Sequence, residues 1–262
     1  MNNLVEIGIN LMSRRYNDDR EEVVEKAIAS GVSKMIITGT NLKNSEHAAD
    51  FATRYPDILF STAGIHPHDA RHFNSKAIGK LEKILELPQV VAVGECGLDY
   101  NRIFSSKEDQ ETCFKAQLEL ARKTEKPLFL HERQAHEAFV NIMNDYTDVI
   151  PRSVVHCFTG NEQQLKTYVS MGFYIGITGW ICDERRGNEL QHAVKHIPLD
   201  RLLIETDGPF LTPRTLKPRP KNDRNEPAFL PHIVEHLAHY MNVSSEEIAT
   251  HSTQNAERLF GV

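Results

Sequence analysis

The chain has 262 residues, 40% of them apolar and 25% charged, with a formal net charge of −6. This is the make-up of a globular protein with enough apolar chain for a sizeable core, which excludes a disordered chain. The acidic balance excludes a protein that coats nucleic acid through a broad basic surface, but not one with a local basic groove.

Residues 1–6 show neither the basic stretch nor the apolar one of a secretory leader, and no window reaches the roughly 18 apolar residues that a membrane span needs. The expectation is a cytoplasmic protein with no membrane partner. Cys96, Cys113, Cys157 and Cys182 lack any C-x-x-C spacing, and read as reduced, mostly buried thiols.

Eight strand-like runs follow in order: 4–9, 35–38, 58–63, 90–94, 127–130, 153–155, 173–177 and 202–206. Most are short and continuously apolar, as strands buried on both faces should be. Helical signals lie between them. Residues 20–30 put Val23, Val24, Ala27 and Ile28 on one side and stop at Gly31. Ser105 with Glu108 predicts a capping box, and Asn161 with Gln164 opens a helix that ends at Gly172. Beyond the eighth run, Asn225-Glu226-Pro227 starts a helix to about Tyr240, and Ser244 with Glu247 starts another that ends near Phe260. Strand alternating with helix calls for a parallel sheet with right-handed crossovers. Eight repeats favour one (β/α)₈ TIM barrel over residues 1–262 against an open doubly wound sheet, and barrels of about 250 residues are common.

Four residues able to bind divalent metals stand where such a run stops: Glu95, His131, His156 and Asp207. Strands of a closed parallel barrel all end on one face, so residues far apart in the chain converge there. Two imidazoles and two carboxylates suit Mg²⁺, Mn²⁺ or Zn²⁺ and lack the thiolates of a structural zinc site. After the third run, Gly64-Ile65-His66-Pro67-His68-Asp69 forms a loop with two imidazoles. His66 or His68 either binds or protonates a substrate near the metal, or is a solvated turn histidine.

The chain also carries Gly64-x-His66-Pro67-His68, Gly94-Glu95-x-Gly97-Leu98-Asp99, His156-Cys157-Phe158-x-Gly160, Glu205-Thr206-Asp207-x-Pro209 and Asn225-Glu226-Pro227. In order and over nearly its entire length, this series resembles the TatD family of metal-dependent deoxyribonucleases. The resemblance implies a TIM-barrel phosphodiesterase that needs Mg²⁺ and removes nucleotides from the 3′ ends of single-stranded DNA, in some members RNA. Glu95, His131 and His156 match the family's metal-binding positions, and Asp207 its aspartate after the last strand. Many relatives begin with H-x-H after the first strand, whereas this chain has Gly8-Ile9-Asn10, as the TatD subgroup does. One firmly held metal is therefore expected from Glu95, His131 and His156, with a weak second near Asp207. In such a site Asp207 takes the proton of the attacking water, and His66 or His68 donates to the phosphate.

Arg214, Lys217, Arg219, Lys221 and Arg224 face a single acid, Asp223, within residues 214–224. They either pair with backbone phosphates or form a solvated loop. Arg133, Arg185 and Arg186 extend the same groove or make surface ion pairs with acids such as Asp183 and Glu184. Trp180 either stacks a terminal base or packs at the barrel mouth. His232, His236 and His239 lie along one helix without the glutamate of H-E-x-x-H and read as a solvated face, as do His192 and His196. The leading expectation is a monomeric 3′→5′ exonuclease in DNA repair or nucleic-acid turnover. The alternatives are a metal-dependent amide or ester hydrolase, such as an aminoacyl-tRNA deacylase, and a quality-control factor linked to twin-arginine export with a vestigial site.

Overall fold

The computed structural model of the chain describes residues 3–262. Among them eight strands follow one another in chain order in one sheet: β1 (Leu4–Ile9), β2 (Val32–Ile37), β3 (Leu59–Ala63), β4 (Val90–Asp99), β5 (Leu128–Arg133), β6 (Ser153–Val155), β7 (Tyr174–Ile177) and β8 (Leu202–Ile204). The helices are α1 (Arg20–Ala29), α2 (Leu42–Ala52), α3 (Ser75–Leu85), α4 (Lys107–Thr124), α5 (His136–Met143), α6 (Glu162–Met171), α7 (Asn188–Ala193), α8 (Leu230–Met241) and α9 (Ser245–Phe260). This alternation is the (β/α)₈ barrel expected from the sequence. No helix among the described residues is long and apolar enough to cross a membrane.

Local chemistry accounts for most element boundaries. The Asn161–Gln164 and Ser244–Glu247 capping boxes are both formed, and Gly172 and Gly261 close their helices in the left-handed region. The Ser105–Glu108 box is corrected by one residue: Ser106 accepts from the Asp109 N–H and caps α4. Ser105 is buried instead, its hydroxyl donating to the His68 carbonyl and accepting from the Arg71 N–H. The helix expected from residue 225 is also adjusted, since Pro227–Phe229 forms a single 3₁₀ turn before α8 begins.

The fold divides into two compact units, one of Thr38–His156 and one of the residues up to Ile37 together with Cys157–Val262. In the first, β3 to β6 pair in parallel. Here two predicted strand ends are corrected, because β4 continues past Gly94 to Asp99 and β5 continues past Leu130 to Arg133. Glu95 and His131 thus lie within strands. The register shows how: Gly94 pairs with Phe129 and Cys96 with Leu130, so Glu95 is the extra residue of a bulge. A bulge re-aims side chains without ending the ladder. Gly97 then passes so close to β5 that an added Cβ would strike the His131 carbonyl, and its φ of +142° suits glycine.

In the second unit β1 pairs with β2 and β7 with β8. The Asp207 N–H donates to the Gly8 carbonyl (2.9 Å) and the Asn10 N–H to the Gly208 carbonyl (2.8 Å), which ties the end of β1 to the chain leaving β8. Glu6, wholly buried in β1, accepts from the Gly8 N–H at 3.0 Å and from the Thr206 N–H at 2.9 Å to each oxygen. Burial outweighs those bonds and pushes its carboxyl pKa up to about 8 from 4.5. The folded chain therefore holds an extra proton between these values. This contribution to stability is fully present below pH 4.5 and is lost as the pH rises through about 8. Glu6→Gln keeps an acceptor but cannot ionise, so urea unfolding should show the variant gaining on the parent by about 2–4 kcal/mol between about pH 5 and about pH 8. An identical pH slope in both proteins would refute the assignment.

Candidate metal centre

Within the unit of Thr38–His156, four imidazoles and two carboxylates from β3, β4, β5 and β6 and their following residues come together. Glu95 is at the centre, 5% exposed. Its Oε1 lies 2.9 Å from His131 Nδ1, 2.8 Å from His156 Nε2 and 3.3 Å from His66 Nε2. Burial pushes the Glu95 carboxyl up, but the His66 and His156 charges and the hydrogen bonds from His131 and His156 outweigh it and hold it well below the usual carboxylate range. The carboxylate is thus an anion in a buried place, which requires cationic company.

His131 lies between two acids. Its burial pulls the pKa down, while the neighbouring Asp99 and Glu95 carboxylates raise it to about 8. Its Nε2 is nevertheless buried with no hydrogen bond of good geometry, the Asp99 Oδ2 standing at 3.5 Å. An unsatisfied buried ring nitrogen beside a carboxylate fits a ligand atom whose partner is an ion. The donor set of imidazole and carboxylate fits a borderline divalent cation.

Ligand atoms of His66, Glu95 and His131 all lie within 4.8 Å of one another. His66 also makes a backbone contact. Its Nδ1 accepts the His68 N–H at 3.1 Å, which places the ring proton on Nε2. His156 Nε2, 2.8 Å from the same Glu95 oxygen, is a further ring nitrogen at this centre. Burial lowers the His66 pKa against the pull of Glu95. His68 Nε2 contacts Asp99 Oδ2 at 2.7 Å, and the two rings stand edge to face at 4.3 Å.

The loop of His66 and His68 is held by a residue that carries no signal in the sequence. Gln117 of α4, fully buried, accepts the Ile65 N–H at 2.8 Å and donates to the Ile65 carbonyl at 3.0 Å. Gln110 does the same for Asp99, at 2.8 and 3.0 Å. Asp99 was also missed as a site residue, although it ends one of the motifs above; it accepts from the N–H groups of Asn101 and Arg102 as well as from His68. Phe104 gave no sequence signal. It is 55% exposed, with its ring edge-on to His68 at 4.8 Å.

Arg133 ends β5 and is half-buried. The other predicted residues belong to the second unit. Asp207 follows β8 with a φ of +53° and accepts from the Asn10 side-chain amide at 2.8 Å. Trp180 lies under the Arg186 guanidinium, 4.5 Å from its ring centre. The basic segment is less free than its composition indicated. Arg224 pairs with Asp19 and Glu226, each at 2.6 Å, and lies over Tyr16. Arg219 pairs with Asp223 at 2.7 Å and Arg214 with Glu184 at 3.3 Å. A phosphate reaching these arginines must compete with carboxylates that residues 214–224 alone do not reveal. Asn225, wholly buried, donates to the Thr206 carbonyl and accepts the Tyr16 hydroxyl. The Asn225-Glu226-Pro227 motif is therefore a structural pin. His232 and His236 are half-buried rather than solvated, and of the three histidines His239 alone is exposed.

Among known proteins, the family model described as "TatD related DNase" matches residues 6–261. A relative from Rahnella sp. (strain Y9602) named "3'-5' ssDNA/RNA exonuclease TatD" is 48% identical over 259 residues, 99% of this chain and 98% of its own. One of the same name from Salmonella typhimurium (strain LT2) is 46% identical over 259 residues, 99% of each. Of solved structures, the TatD homolog YJJV from Escherichia coli k12 superposes with a TM-score of 0.90 at 27% identity, covering 99% of this chain and 98% of its own. A TatD-family hydrolase from Entamoeba histolytica gives 0.88 at 26%, with the same coverage.

Gln117→Leu keeps the volume and leaves the two Ile65 backbone groups unsatisfied. Urea unfolding should find it less stable by about 2–4 kcal/mol, at roughly 1–3 kcal/mol per buried unpaired group. A loss within about 0.5 kcal/mol would show that the clamp carries no weight.

Proposed function

We propose that this chain, which belongs to the TatD-related DNase family, is a divalent-metal-dependent 3′→5′ exonuclease that hydrolyses phosphodiester bonds of single-stranded DNA and of RNA. The observation that carries the reading is the Glu95 oxygen ringed by three imidazole nitrogens within 3.3 Å. Relatives nearly half identical bear that activity in their names. Glu95, His131 and His156 hold the cation, with Mg²⁺ as the working metal and Mn²⁺ or Zn²⁺ as substitutes. When bound, it supplies Lewis-acid chemistry, activating water and neutralising charge on the phosphate.

The chain's own groups do the rest. His66 presents an Nε2–H that donates to a non-bridging phosphate oxygen, where negative charge grows during attack. Asp99 fixes His68, and His68 in turn supports the His66 ring through the edge contact and its backbone N–H. Asp207 is the acceptor for the proton of the attacking water. Exposed Phe104 offers a stacking face for a terminal base, a contact worth roughly 1–3 kcal/mol. Arg133, Arg214, Arg219 and Trp180 are the further groups assigned to substrate, and Arg224 is reassigned to holding its own loop. The role that follows is trimming of nucleic-acid ends in repair or turnover, in the cytoplasm.

The test is a 5′-labelled single-stranded oligonucleotide, DNA in one arm and RNA in the other, incubated with protein and Mg²⁺. Stepwise shortening from the 3′ end is expected, abolished by chelator and by His156→Ala. Asp207→Asn retains the carbonyl that accepts from Asn10 and tolerates the left-handed backbone. It should fold normally and turn over at least ~100-fold more slowly. Shortening that survives chelator, or an Asp207→Asn protein at full rate, would defeat the proposal.

A further inference from the structure

A second cluster of metal-ligating side chains lies in the other unit and takes no part in the reading above. Cys182 ends the 3₁₀ turn Gly179–Cys182 after β7 and is 1% exposed. It packs where His232 and His236 stand one turn apart on α8, their rings 4.3 Å from centre to centre. The Cys182 sulfur and one nitrogen from each histidine all lie within 4.8 Å of one another.

The surroundings prepare each group to bind. His236 Nδ1 is 3.0 Å from the His232 carbonyl, so it carries the ring proton and donates there, leaving the Nε2 lone pair for a ligand. The Thr215 hydroxyl lies 2.7 Å from His232 Nε2 and stands beside Cys182. A lone buried thiol would need no such company. Tetrahedral zinc with sulfur near 2.3 Å and nitrogen near 2.0–2.1 Å separates its S and N ligands by roughly 3.5 Å, so small side-chain rotations would close the cluster.

We propose that Cys182, His232 and His236 form a thiolate–bis-imidazole site for a thiophilic borderline cation of the Zn²⁺ class, with its fourth position open to Thr215 or water. Binding deprotonates the thiol: the sulfur lone pair forms the metal bond and the proton leaves to solvent. Sulfur sets this site apart from the Glu95 centre, whose donors are nitrogen and oxygen, so it favours the more thiophilic ions. Occupancy clips the turn that ends at Cys182 to α8. Through Thr215 it also steadies the segment that starts at Arg214.

Cobalt(II) tests this, because a thiolate ligand gives an intense near-ultraviolet charge-transfer band that imidazole and carboxylate ligands cannot give. Titrating the full chain with Co²⁺ under argon should develop that band with one equivalent, and Zn²⁺ should bleach it. Cys182→Ser should abolish the band. His236→Gln, on the half-exposed side of the cluster and so well tolerated, should weaken Co²⁺ binding at this site by about tenfold or more. Absence of the band in the wild-type chain at saturation overturns the proposal. So does a band that survives Cys182→Ser, which would put the metal on another thiol such as Cys157, or one that keeps full affinity in His236→Gln.

Discussion

One buried carboxylate oxygen organises the centre: Glu95 Oε1, with nitrogens of His66, His131 and His156 around it. An ionised carboxylate withdrawn from water is costly unless positive charge accompanies it. Protonated imidazoles meet that requirement in part, and a divalent cation meets it in full. The same constraint accounts for Asp99 standing on the far side of His131 and for a ring nitrogen there that lacks a good hydrogen bond. An ion that binds these groups only in the folded chain adds to its stability through mass action.

The barrel supplies the positions that such a site needs. The bulge at Glu95 lets β4 continue its pairing to Asp99, so two carboxylates four residues apart stay in one strand beside His131 of β5. Gly97 allows the strands the necessary approach. Buried glutamines of α4 then fix the loops by bonding to backbone rather than to site side chains. That leaves the imidazoles and carboxylates available for chemistry, and it puts the geometry under the control of the helix layer, as rigid support of a site requires.

The strand order and the Glu95, His131, His156 grouping were legible because short, continuously apolar β-branched runs belong to strands covered on both faces, and their first polar residue marks the site end. The same rule places the ends of β4 and β5 too early. A polar residue facing a polar centre looks like a strand terminus, and a bulge leaves no mark in composition. Asp99, Gln110 and Gln117 escaped notice for a related reason, since a buried polar residue that serves backbone groups cannot be told from a surface one in a single chain. The arginines of residues 214–224 looked unpaired because Asp19, Glu184 and Glu226 lie outside that stretch, and ion pairing is set by the fold. His232 and His236 looked solvated because the Cys182 that meets them comes from an earlier turn.

Anomalous scattering from a crystal grown with Mn²⁺ tests the central claim most directly. The account predicts a peak bonded to Glu95, His131 and His156 together, at about 2.0–2.3 Å from an atom of each. A peak bonded elsewhere, with Glu95 still hydrogen-bonded to His131 and His156 and to nothing else, would contradict it.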